Sequence, residues 1–136
     1  MQPPLVEVFL ASLKRCLAEP RFMEEFYDRF VGSSAEVREK FRNTDMKRQA
    51  QVLADSLYVV ANAVQGEEGS LARRELPQIA ARHSRTDRDI RPGLYDLWIG
   101  CLVETVRDTD PRFDPEIERA WREVLAFGAD YMRHHY

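Results

Sequence analysis

With 136 residues, 44% of them hydrophobic and 32% charged, the chain has the size and balance of one soluble domain, residues 1–136, able to bury a core. Its 20 Lys and Arg against 23 Asp and Glu leave a formal charge of −3, which excludes the bulk positive field that draws proteins to nucleic acid or to an anionic membrane. No apolar run approaches bilayer length, and two distant cysteines, Cys16 and Cys101, outside any CxxC pairing, fit buried thiols in a reducing cytoplasm.

The punctuation along the chain is helical throughout and predicts an all-α fold. Pro3 and Pro4 lead into "LVEVFLASLKRCL", and Pro20 leads into "RFMEEFYDRFV", where Phe22, Phe26 and Phe30 form an aromatic stripe that Tyr27 widens. "SSAEVREKF" offers a serine cap with a glutamate soon after. Thr44 or Asp45 then caps a long helix to about Val64, whose apolar positions Met46, Ala50, Leu53, Leu57 and Val60 follow helical steps. "QGEEGS" ends it. A further helix from about Ser70 carries Leu76, Ile79, Ala80 and His83, and "SRTDRD" connects it onward. "RPGLYDLWIGCLVETVRD" is apolar around most of its circumference, the mark of a central helix. Asp114 and Pro115 open the last one, through Trp121, Leu125, Gly128 and Met132.

Gln49 poses the chief question within this layout. It falls on the mostly apolar face between Met46 and Leu53, where a buried amide without a partner costs about 1–3 kcal/mol. Either a polar group meets it or it faces a cavity. His83, near the end of its helix on the side of Ile79, has the chemistry of a metal ligand, yet a lone histidine in such a place is usually a satisfied structural or exposed one. No HExxH, glycine-rich phosphate loop or nucleophile elbow accompanies these residues. The arginines around His83, among them Arg85 and Arg88, either solvate a face or hold a small anion such as a cofactor carboxylate.

Read together, these positions resemble the globin family, in particular single-domain bacterial globins, over nearly the whole chain. "FYDRF" is similar to the second globin helix with its distal tyrosine, and Phe41 to the phenylalanine that packs on haem. "MKRQAQVLADSL" resembles the distal helix, with Gln49 facing the bound ligand and Leu53 one turn further along. "IAARH" resembles the proximal segment, and "IRPGLYDLWIGCLVETV" and "AWREVLAFGADYM" the last two globin helices.

The resemblance implies a globin fold with a haem pocket between distal and proximal helices. It implies a noncovalent haem b, because no CxxCH motif exists, with His83 as the iron ligand. Tyr27 and Gln49 would stabilise a diatomic gas, whether dioxygen, nitric oxide or carbon monoxide, and that pairing goes with tight oxygen retention. Phe41, Met46, Leu53, Ile79, Ile90 and Tyr95 would line the pocket, and Lys47, Arg85 or Arg88 would meet the haem propionates. The implied roles are reversible gas binding for transport or storage, or nitric oxide dioxygenation. Dioxygenation requires a separate reductase, because the resemblance leaves no room for a flavin, nicotinamide or signalling domain in this chain. A gas-sensing or interaction module is the alternative, with a homodimer seam near Leu97, Trp98 and Cys101.

Overall fold

A computed structural model describes residues 3–65 and 91–134. The helix expected from about Ser70, with Ile79 and His83, lies outside the described residues, as do Arg85, Arg88 and Ile90. Among those described, regular structure is helical: α1 (Pro3–Leu17), α2 (Phe22–Ser33), α3 (Ala35–Lys40), α4 (Met46–Gln65), α5 (Leu94–Thr109) and α6 (Pro115–His134).

Local chemistry starts and stops these helices where the sequence places the signals. Ser34 Oγ accepts from the Glu36 and Val37 amides at 3.2 and 3.4 Å, capping α3. Of the two candidate caps for α4, Asp45 serves: its Oδ1 accepts from the Lys47 and Arg48 amides at 3.2 and 3.3 Å. Asp114 Oδ1 accepts from the Ile117 amide at 2.8 Å, and Pro115 occupies the first position of α6, where a missing N–H costs nothing.

The first and last helices build the deepest part of the core. α1 buries Val6, Phe9, Leu13 and Cys16 on one face and packs on α6, where the Phe9 and Trp121 ring centroids lie 4.6 Å apart. Burying side chains of this size stabilises by roughly 1.5–3 kcal/mol each. One polar network crosses the same layer. Trp121 Nε1 donates to Ser12 Oγ at 2.9 Å, Ser12 Oγ donates to Asp110 Oδ2 at 2.6 Å, and Arg15 clasps both carboxylate oxygens at 2.8 and 2.9 Å. Burial alone would push the Asp110 pKa up, but the hydrogen bonds from Arg15, Ser12 and the Arg112 amide outweigh it and hold the carboxyl below its usual range.

α5 is less uniform than its composition suggests. Cys101, Leu102, Val103 and Val106 are buried, whereas Leu97, Trp98 and Ile99 in its first half are only half-buried. In that first half Leu94, Tyr95 and Trp98 border a cavity.

Candidate functional site

A cavity of about 560 Å³ opens between α4, α5 and α6, with α2 and α3 at one end. That volume lies within the range of cofactor pockets, roughly 300–1,000 Å³. Its walls are mostly apolar. Leu53, Leu57 and Val60 project from α4 at helical steps, Leu94 and Trp98 from α5, and Met132 from α6.

Aromatic contacts lead from the core to the polar end of this cavity. Phe26 and Phe30 stack at 5.5 Å, Phe26 meets Tyr27 edge to face at 4.8 Å, and Tyr27 meets Phe41 at 5.6 Å. Phe30 holds Phe41 from a second side at 6.1 Å. Tyr27 and Phe41 are thereby fixed in the cavity wall by three ring contacts, each of a geometry worth about 0.5–1.5 kcal/mol beyond area burial.

The Gln49 amide meets a partner here. Its Nε2 donates to the Tyr27 hydroxyl at 3.3 Å, while the hydroxyl points its own hydrogen at the Gln49 backbone carbonyl at 3.5 Å. The second contact is long for an O–H donor, which prefers about 2.7–2.8 Å, and that carbonyl is already committed to the next turn of α4. The Tyr27 hydrogen is therefore weakly held in a site where burial makes a strong donor valuable. Burial pushes the Tyr27 phenol up to about 12, against a smaller opposing effect of the Gln49 hydrogen bond, so the proton stays on the oxygen at any neutral pH.

Of the residues singled out in the sequence, the structure brings Tyr27, Phe41, Gln49, Leu53 and Tyr95 to one cavity. Met46 is half-buried and packs against the core, outside the cavity lining, and Lys47 is exposed and also outside it. The reason is helical register: Lys47 stands two residues before Gln49 on α4, which turns it away by more than half a revolution. The cations that do line the cavity are Arg48 and Lys40, beside Asn43 and Thr44. Asp45 lines it as well, its carboxylate engaged by the first amides of α4. Among the described residues no carboxylate forms an ion pair with Arg48. Sequence reasoning missed Arg48 because charged residues at helix starts are ordinarily solvated. It missed Gly128, Ala129 and Met132 as lining although their spacing on α6 puts Gly128 and Met132 on one face.

Gly128 also sets how closely α6 approaches α4. A Cβ there would lie 3.2 Å from both methyls of Val60, so the bare backbone lets the Val60 side chain sit against α6 at the cavity wall.

This donor set suits haem. An extended apolar space accepts a flat macrocycle, one hydroxyl and one amide wait at one end, and two cationic side chains at the edge complement carboxylates. Nothing buried is left without a partner among the described side chains, so the site requires no further polar group to satisfy it.

Comparison with known proteins agrees with this chemistry. A model of the globin family matches residues 11–132. No curated protein matches the chain in sequence. Among solved structures, it is similar to a Pseudomonas aeruginosa PAO1 protein described as structurally highly homologous to a human hemoglobin. The two are 34% identical, with a TM-score of 0.90 over 97% of this chain and 98% of that one. A helical fold, an apolar cavity closed at one end by a tyrosine and a glutamine, and a family match across nearly all of the helices have one common meaning. The chain belongs to the globin family.

Proposed function

We propose that this globin holds one noncovalent haem b through His83 and reversibly binds a diatomic gas, dioxygen first, beside Tyr27 and Gln49. The observation that carries the reading is the polar pair itself: a hydroxyl and an amide bonded to each other at 3.3 Å in the wall of an otherwise apolar cavity. When bound, haem supplies an iron centre able to coordinate the gas.

The chain's own residues do the rest. Leu53, Leu57 and Val60 exclude water, which strengthens any hydrogen bond formed inside. Tyr27 turns its weakly held hydrogen from the Gln49 carbonyl toward the ligand, and the Gln49 amide either continues to donate to the Tyr27 oxygen or donates to the ligand itself. Phe41, fixed between Tyr27 and Phe30, would offer a bound macrocycle a rigid apolar contact. Arg48 and Lys40, with Arg85 or Arg88, answer the propionates, while the exposed Lys47 is the weaker candidate.

The test is an absorption spectrum of the protein supplied with haem, followed by His83→Ala. The expected result is a haem spectrum in the parent that shifts or disappears in the variant. Identical ferrous and ferric spectra in the two proteins would remove His83 from the iron. Loss of dioxygen on adding nitric oxide, sustained only with an added reductase, would identify a nitric oxide dioxygenase.

A second reading, gas sensing through an interaction surface, is favoured by Trp98. It lines the cavity and is flanked on α5 by the half-buried Leu97 and Ile99, so that one short stretch joins the ligand site to the protein surface. A ligand-dependent change in oligomeric state would support it.

A further inference from the structure

Two walls of the cavity are tied together by an ion pair that the gas-binding reading does not use. Glu36 stands in the first turn of α3, next to the cavity residue Val37, and Arg91 precedes Leu94 and Tyr95, which line the cavity from the start of α5. The Arg91 Nε donates to both carboxylate oxygens of Glu36 at 3.1 Å, and Nη2 donates to Oε1 at 2.9 Å. This is a forked contact rather than a chance encounter of two surface charges.

The surroundings accommodate that pose and anchor the turn that carries it. Gly93 leaves room for it: a Cβ at that position would come within 2.7 Å of Arg91 Nη1. The turn that carries Arg91 is also held from the opposite side, because Arg133 of α6 donates to the Pro92 carbonyl at 3.4 Å and pairs with Asp96. The stretch from Arg91 to Asp96 is thus gripped by α3 on one side and α6 on the other. It is also the point at which the chain bearing His83 rejoins the described fold.

We propose that Glu36 and Arg91 form an ionic strap across the cavity that sets how fast its occupant leaves. The pair touches no bound group, so both are positioning residues: they hold the α3 wall, with Phe41 at its end, at a fixed distance from the α5 wall with Tyr95. Opening the fork frees the two walls to separate, and release requires that separation. Because the pair is partly exposed, with side-chain exposures of 58% and 38%, salt screens it, and the strap loosens as ionic strength rises.

The proposal rests on the haem reading for its natural occupant. Its test is haem transfer from the full-length ferric protein to an excess of a haem-scavenging apoprotein, followed in the Soret band at low and high salt. Glu36→Gln and Arg91→Gln should each speed transfer about three- to tenfold at low salt, and the difference should shrink at high salt. The double variant should release haem more slowly than the product of the two single effects, because the fork between the two side chains is already lost in each single variant. Singles that release at the parent rate in low salt, or effects that multiply in the double variant, would overturn the strap. A parent protein that takes up no haem would refute the haem reading instead. The strap is then read in the apoprotein by amide hydrogen exchange across residues 36–41 and 94–98. Faster exchange at both stretches in both singles, with the double below the product of the two effects, supports it, and unchanged exchange overturns it.

Discussion

Gln49 and Tyr27 are bonded asymmetrically: the amide donates to the hydroxyl at 3.3 Å, while the hydroxyl's own hydrogen has only a carbonyl at 3.5 Å. The stronger contact orients the tyrosine oxygen, and the weaker one leaves its proton available. In the haem-loaded protein, Tyr27→Phe should therefore accelerate dioxygen release about tenfold or more, since about 1.4 kcal/mol corresponds to a factor of ten. Gln49→Leu should accelerate it as well, and the double variant should depart from additivity because the two residues share one partner and one ligand. Flash-photolysis and stopped-flow rates check this. A Tyr27→Phe protein that binds faster but releases as slowly as the parent would show that the hydroxyl only blocks entry.

The same burial has a consequence for alkaline stability. Tyr27 ionises at about 12 in the folded protein and at about 10 when unfolded. A raised folded pKa means the stabilising contribution is complete below pH 10 and is lost as pH rises toward 12, since the unfolded chain then binds fewer protons. The loss by pH 12 comes to about 2 kcal/mol. Urea unfolding at pH 8 and pH 11 should show a steeper decline in the parent than in Tyr27→Phe, in which the titrating group is gone.

Asp110 predicts the opposite dependence. Its carboxylate accepts from Ser12, Arg15 and the Arg112 amide, and its lowered pKa contributes stability present above the unfolded value of about 3.9 and lost as pH falls through the folded one. Asp110→Asn removes the charge but keeps the shape, leaving Arg15 short of its partner. Destabilisation of about 3 kcal/mol at pH 7 is expected, as for other broken buried pairs, narrowing in acid. Thermal melts at pH 7 and pH 3.5 measure both effects.

Gly128 offers a test of the cavity wall itself. Gly128→Ala places a methyl 3.2 Å from each Val60 methyl, and overpacking of this kind costs about 1–3 kcal/mol where neighbours cannot yield. Val60→Ala in the same chain should recover most of that loss by making room. Equal stability of Gly128→Ala and the parent would mean that α4 moves without cost.

Much of this architecture is legible in the sequence because local chemistry and tertiary packing agree. Ser34 and Asp114 cap the helices they precede, and the stripe of Phe22, Phe26 and Phe30 is buried as its spacing requires. The ambiguity between Thr44 and Asp45 as the cap of α4 is resolved only by geometry, since either side chain could reach the free amides. Tyr27, Phe41, Gln49, Leu53 and Tyr95 reach one cavity from four elements, a convergence that periodicity on any single helix does not contain. The charged rim was least legible. Lys47 and Arg48 are adjacent in sequence and equally suited to a carboxylate, and only the rotation of α4 decides which one lines the cavity. The strap was invisible for a different reason, because Glu36 and Arg91 are far apart in the chain and Gly93 reads as ordinary turn chemistry.

The pairing of Phe9 with Trp121 also orders events during synthesis. Phe9 of α1 finds its aromatic partner only in α6, which is made later, and the cavity likewise lacks part of its wall until Gly128 and Met132 emerge. A nascent chain ending at Thr109 already contains Tyr27, Phe41, Gln49 and Leu53, yet it lacks α6, on which α1 packs and which supplies part of the cavity wall. If the protein takes up haem as proposed, uptake follows the synthesis of α6, and a stop before Gly128 yields a chain that carries Tyr27 and Gln49 without the wall that closes their cavity.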